Sequence, residues 1–137
     1  MSILFSRYVG GNVNEVPKSL RTWFVIHFYA DMVFGIPLLI FPETIMPLLG
    51  WNPIDPIATR VVGAALMGIG IESYLGRNAG REVFGAMLNL KVIWSSSAIL
   101  GISLGLWNGG AMAGWLFLAT FVIFWFVWVY YWRMLRI

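Results

Sequence analysis

Four apolar stretches, each about as long as a helix that crosses a lipid bilayer, constrain this chain most strongly. A helix rises about 1.5 Å per residue, so about 20 apolar residues span the hydrocarbon core. The stretches cover residues 22–41, 57–75, 83–106 and 111–132. Backbone groups in lipid must be hydrogen-bonded within the protein, and the sequence has no alternating pattern of the barrel type, so each stretch is predicted to be a helix.

The low content of charged residues indicates that lipid surrounds the folded chain. Only 11% of the residues are charged, whereas a soluble domain carries about 25%. The sequence therefore predicts an all-α integral membrane protein, an antiparallel four-helix bundle. It contains no cysteine, which excludes disulfides, thiolate metal sites and cysteine nucleophiles.

The basic residues outside the four stretches predict the orientation in the membrane. They precede the first stretch, separate the second from the third and follow the fourth: Arg7, Lys18, Arg21, Arg77, Arg81, Arg133 and Arg136. The positive-inside rule then predicts a multi-pass protein of the cell membrane with both termini in the cytoplasm. Residues 1–21 become a cytoplasmic or interfacial segment, and residues 133–137 a cytoplasmic tail. The connection 41–56 is predicted to lie in the opposite interface, anchored by Trp51.

Ionisable residues inside the predicted spans are the first candidates for a site. A charge at the bilayer centre costs about 2.5–3.5 kcal/mol, so such residues face the protein interior and find partners. Counting from the basic ends places Asp31 and Lys91 about 15 Å deep, which predicts an ion pair between them. His27 and Glu72 lie roughly 7–9 Å deep by the same rise. Together these four residues are predicted to form a buried polar network or to line a ligand pocket.

The second predicted span also carries Arg60, near its outer end. We expect its guanidinium to pair with Glu43 or Asp55 in the connection before it. A spacing of four residues places Arg60, Ala64, Gly68 and Glu72 on one helix face. Because small residues allow close helix contact, this face is predicted to pack against a neighbouring helix.

Aromatic residues form a stripe along the fourth predicted span. They recur at helical spacing: Phe117, Phe121, Trp125, Trp128 and Trp132. One interpretation is lipid packing and an interfacial aromatic belt. The other is a surface that stacks on a flat ring, such as a quinone or a pigment, or that packs against a partner subunit.

Catalytic motifs are absent from the sequence. It has no H-E-x-x-H, G-x-S-x-G, Walker or dinucleotide-glycine pattern, and no carboxylate cluster able to hold metals. His27 is the only histidine, so a bis-histidine haem site within one chain is excluded. No catalytic residue, metal site or required cofactor is predicted, and the scattered basic residues do not indicate nucleic-acid binding.

Two functions from different classes remain open. The first is a small non-catalytic accessory subunit, or a binder of a lipid-like or quinone-like molecule between the helices. The second is a proton- or cation-conducting transporter or channel that uses His27, Asp31 and Glu72 as a relay. The expected partners are membrane lipids, and a membrane-protein partner or a homo-oligomer is left open.

Three segments resemble the DoxX-like group of small four-helix membrane proteins, in particular its uncharacterised branch. They are LLIFPETIMPLLGW, ATRVVGAALMGIGIESYL and LNLKVIWSSSAILG, within a resemblance that covers roughly residues 20–132. It includes Arg-x-x-Gly-Ala at 60–64 and the proline- and glycine-containing connection. The resemblance implies an antiparallel four-helix bundle, and some group members are associated with quinone-linked membrane oxidoreductases as small subunits. No catalytic motif of the group matches residues of this chain.

Overall fold

The computed structural model describes residues 16–136, and their regular structure is entirely helical. The helices are α1 (Lys18–Ile40), α2 (Pro42–Leu48), α3 (Pro56–Leu75), α4 (Arg81–Trp107) and α5 (Gly114–Arg136). A 3₁₀ turn, Gly76–Asn78, leads from α3 to α4. Most of the predicted N-terminal segment, including Arg7, lies outside the described residues, as does Ile137.

Among the helices of the described residues, α1, α4 and α5 are long and apolar enough to cross a membrane. Their large aliphatic and aromatic residues are widely exposed on the outside of the molecule, as expected of a surface that faces lipid. Helix α3 has 20 residues but is not among the three. The described residues therefore form an all-helical structure with three helices able to cross a membrane, which suggests a membrane protein, and the fourth span stays a prediction.

Two helices extend beyond a predicted boundary by four residues. Helix α1 begins at Lys18, directly after Pro17, because proline fits a helix start but cannot occupy a helix interior without loss. Helix α5 continues to Arg136 through the predicted tail. Its last turn carries Arg133 and Arg136, and positive charge is favourable at the negative end of the helix dipole.

Glycine residues bring the backbones of α1 and α3 together. A Cβ atom on Gly63 would lie 2.6 Å from the backbone nitrogen of Leu39 and 2.8 Å from the carbonyl oxygen of Gly35. The buried residues of α3 are Gly63, Leu66, Gly70 and Ser73.

The predicted packing face of α3 is wrong. Ala64, Gly68 and Glu72 are exposed, and a methyl group added to Gly68 would meet no atom within 4 Å. The face that packs against α1 is the adjacent row of α3. Its point of closest approach is Gly63, not the predicted Ala64. Both rows contain small residues, so residue size alone did not distinguish them.

The tightest core lies at the end of the molecule where α1 and α4 begin and α5 ends. Phe24, Phe84 and Trp128 meet there, with Phe24 in edge contact with Trp128 and tilted against Phe84. The Arg21 guanidinium donates hydrogen bonds to the carbonyl oxygens of Arg77 and Ala79, at 2.8 and 3.0 Å. This core fixes the relative position of α1, α4 and α5, and the polar residues begin one turn further along.

Candidate functional site: a buried lysine, histidine and aspartate beside an aromatic cleft

Lys91 lies at the centre of a polar cluster to which all four long helices contribute. Its side chain is buried, with 2% of the residue exposed. The Lys91 Nζ donates a 2.6 Å hydrogen bond to Ser73 Oγ of α3 and lies 3.0 Å from His27 Nδ1 of α1. It also lies 4.9 Å from the ring centroids of both Phe24 and Trp128, within the range of cation–π attraction.

The predicted direct ion pair between Asp31 and Lys91 is wrong, because His27 lies between them. Oδ2 of Asp31 is 3.0 Å from His27 Nδ1, the same atom that Lys91 approaches. Side chains on a helix lean toward its N-terminus. The long Lys91 side chain therefore reaches toward the start of α4, to the level of His27 rather than that of the Asp31 backbone.

The His27 Nδ1 atom cannot serve both neighbours at once. A ring nitrogen either accepts a hydrogen bond through its lone pair or donates one through its N–H. When the Lys91 ammonium donates to Nδ1, that atom has no hydrogen for Asp31. In that arrangement Asp31 Oδ2 is buried without a hydrogen-bond partner among the described residues, although His27 Nδ1 lies 3.0 Å away.

Gly70 of α3 provides the space that the Asp31 side chain occupies. A Cβ atom on Gly70 would lie 2.6 Å from Asp31 Cβ and 3.1 Å from Asp31 Oδ2. Any larger residue would push the carboxylate away from its present position. The carboxylate is thus held close to α3 with one oxygen that has no donor, which is unusual for a buried polar atom.

A narrow cleft begins at this polar cluster and runs between the helices. His27, Asp31 and Lys91 line it together with six aromatic residues: Phe34, Trp94, Phe117, Phe121, Phe124 and Trp128. Its cavity volume is about 30 Å³, which is enough for water but not for a ring-sized ligand. The aromatic side chains must therefore move apart before the cleft admits anything larger.

The aromatic stripe of α5 turns partly inward: a lipid-facing position is wrong for Trp128, while Phe117 and Phe121 are half-buried. Phe117 and Phe121 line the cleft, and Trp128 is only 1% exposed. The other two residues of the stripe contact α4. Trp125 Nε1 donates to Ser96 Oγ at 2.8 Å, and Trp132 Nε1 donates to Asn89 Oδ1.

Glu72 lies apart from the cleft, on the other side of Lys91. Its side chain is exposed and lines, with Ser73 and Lys91, a second cavity of about 10 Å³. Its carboxylate attracts the Lys91 ammonium electrostatically, as that of Asp31 does. Lys91 therefore separates two small cavities, each with one carboxylate in its wall.

The outer-end basic residue pairs with one of its two predicted partners. The Arg60 guanidinium donates two hydrogen bonds to the Glu43 carboxylate, at 2.8 and 3.0 Å. These bonds lower the pKa of Glu43 below its usual value. Asp55 has another role, because its Oδ1 accepts hydrogen bonds from the backbone nitrogens of Ile57 and Ala58 and caps α3. The Arg60–Glu43 ion pair joins α3 to α2, and neither residue lines the cleft.

Sequence reasoning missed Ser73, Phe24 and Thr120. Ser73 holds Lys91, Phe24 lies against its ammonium, and Thr120 lines the cleft. Phe24 lies one turn before His27 and Ser73 one turn after Gly70, so helical spacing from the polar residues was the available signal. Among the described residues, no group of three or more His, Cys, Asp or Glu side chains could hold a metal ion.

The chain was compared with protein-family models, curated proteins and solved structures. No family model, curated protein or solved structure matches it.

Proposed function

We propose that this protein binds a lipid-like or quinone-like molecule between its helices, as a small non-catalytic membrane protein. One observation carries the proposal: the buried Asp31, with His27 and Lys91, lines the aromatic cleft. Ligand sites typically combine apolar walls with a few convergent polar groups that orient the ligand. Aromatic walls suit a flat ring or a slender chain, and the polar end suits a head group.

In this proposal the protein is an antiparallel four-helix bundle that crosses the cell membrane four times, with both termini in the cytoplasm. Three membrane-competent helices support it, as does the close packing of α3 along α1. The basic residues at the ends of the helices support the orientation. The resemblance to the DoxX-like group fits this arrangement and favours the role of a small accessory subunit.

The packing of the helices offers a route for a ligand to enter. Backbone contact is extensive within the α1–α3 pair and within the α4–α5 pair, but sparse between the pairs. Side chains fill the space between them, and Phe121 and Phe124 are only half-buried there. Rotation of such side chains between staggered positions widens the cleft without breaking backbone hydrogen bonds.

Filling the cleft is expected to block binding. In lipid nanodiscs, a benzoquinone with a decyl chain should quench tryptophan fluorescence saturably, since Trp94 and Trp128 form part of the wall. Ala30 also lines the cleft, and Ala30→Leu should weaken the saturable quenching by about tenfold, equivalent to about 1.4 kcal/mol. The matched control, Ala119→Leu at an exposed position of α5, should leave it unchanged.

The same titration can contradict the proposal. Quenching that rises linearly with quinone and is equal in Ala30→Leu and Ala119→Leu would mean that the quinone only dissolves in the lipid. Thermal unfolding of both variants verifies that they are folded.

The second candidate function is a proton relay, favoured by the shared position of His27 Nδ1. That atom lies 3.0 Å from both Lys91 Nζ and Asp31 Oδ2, and Lys91 borders the two cavities. A proton could therefore move from the side of Glu72 to the side of Asp31 through atoms already in contact.

The relay predicts proton flux in proteoliposomes that carry a pH-sensitive dye. Asp31→Asn should reduce the flux at least about tenfold, since an amide cannot exchange a proton as a carboxylate does. Asp55→Asn is the matched control, because asparagine caps a helix as well as aspartate. Flux no greater than in protein-free liposomes would reject the relay.

A further inference from the structure

The hydroxyl and ammonium groups that line the cleft have hydrogen-bond partners within the protein. Ser95 Oγ donates to the carbonyl oxygen of Lys91 at 2.6 Å, and Thr120 Oγ1 donates to that of Leu116 at 2.9 Å. The Lys91 ammonium is held by Ser73 and His27. Of the buried side-chain nitrogen and oxygen atoms in residues 16–136, Asp31 Oδ2 is the one without a hydrogen bond.

This atom belongs to a residue that lines the cleft, so it bears on the chemistry of an occupant. A carboxylate oxygen only accepts hydrogen bonds, so an occupant must bring a donor to satisfy it. A ketone, an ether or an oxidised quinone presents only another acceptor, so it can bind through the aromatic wall but leaves this oxygen unsatisfied. A hydroxyl group supplies the hydrogen, and the bond is a strong one because its acceptor is charged.

We infer that the molecule in the cleft is an aromatic alcohol, a phenol or a quinol, whose hydroxyl donates to Oδ2 of Asp31. Its ring lies against the aromatic wall, where Phe124 and Trp128 already stack in near-parallel planes, 15° apart. The inference rests on the proposed function and adds the head-group chemistry to it.

The test uses two probes that differ only in the hydroxyl hydrogen, 4-pentylphenol and its methyl ether, 4-pentylanisole. Each displaces the decyl benzoquinone from the protein in nanodiscs, with its concentration expressed as a mole fraction of the lipid. The phenol should displace the quinone at a roughly tenfold lower mole fraction than the ether. In Asp31→Asn, which offers only a neutral acceptor, the preference should fall to about threefold or less. Asp55→Asn should retain the full preference.

Each outcome separates the inference from the proposed function. Equal displacement by phenol and ether in the unmodified protein overturns the inference and leaves the binding function standing. A preference that survives in Asp31→Asn also overturns it, because the hydroxyl then binds elsewhere. Displacement by neither probe, with no saturable quinone binding, overturns both. The comparison of the two probes needs no variant, so it remains decisive even if Asp31→Asn fails to fold.

Discussion

Lys91→Met is expected to destabilise the protein by about 3–5 kcal/mol, the cost of breaking a buried charge pair by removing one partner. Methionine retains the length and the apolar part of the side chain, so the change isolates the ammonium. Its loss leaves the buried Asp31 carboxylate without a nearby cation and leaves Ser73 Oγ without its donor. The contacts with the Phe24 and Trp128 rings lose their cation–π component as well. The measurement is denaturant unfolding in detergent micelles, followed by tryptophan emission.

The double variant Lys91→Met with Asp31→Leu distinguishes a missing pair from an orphaned charge. Replacing both members of a buried pair by apolar residues is often close to neutral, so the double variant should be more stable than Lys91→Met alone. The control is Lys18→Met, an exposed lysine in the first turn of α1, which should change stability by less than about 0.5 kcal/mol. Additive losses in the double variant would show that Lys91 and Asp31 do not interact, although His27 connects them.

A double variant more stable than Lys91→Met would also show that Lys91 and Asp31 are coupled through His27. His27 lies between the two charges, so the three residues form one connected cluster. A strong coupling between Lys91 and Asp31 is consistent with both proposed functions, because each needs the carboxylate to be held in place. The ligand-binding and proton-flux experiments then determine which of the two proposed functions the cluster serves.

The interior position of His27, Asp31 and Lys91 could be predicted from the sequence, because the cost of a charge in lipid leaves few alternatives. Their pairing could not be predicted. Depth counted along the backbone ignores that lysine spans more than a helical turn and leans toward the start of its helix. Ser73, which no charge marks, was missed for the same reason, since its role depends on where the ammonium arrives.

The inward direction of the aromatic stripe was hidden from the sequence for a different reason. In a soluble protein, apolar residues indicate the buried face of a helix. In a membrane, lipid is as apolar as the protein core, so hydrophobicity does not separate the two faces. Phe121 of the cleft wall and the exposed Phe126 look alike in sequence. Only the contacts with α1 and α4 decide which of them lines the cleft.

Gly63→Ala is expected to lower stability by about 1–3 kcal/mol, the usual cost of inserting a methyl group into packed structure. The sign of this change in stability is informative, because helix propensity alone favours alanine over glycine in a helix interior by about 1 kcal/mol. The new methyl group would lie 2.6 Å from the Leu39 nitrogen and 2.8 Å from the Gly35 oxygen. Both are backbone atoms, which cannot rotate away, so α1 and α3 must separate.

Gly68→Ala is the matched control on the same helix, one turn further along. A methyl group there meets no atom within 4 Å, so the variant should gain about 0.5–1 kcal/mol from helix propensity. The two alanine variants are therefore predicted to differ in sign, measured by thermal unfolding in the same detergent. A gain in both would show that α1 and α3 do not approach closely in the folded protein. Because α3 also contributes Gly70 beside Asp31 and Ser73 beside Lys91, that outcome would remove the geometric basis of the polar cluster.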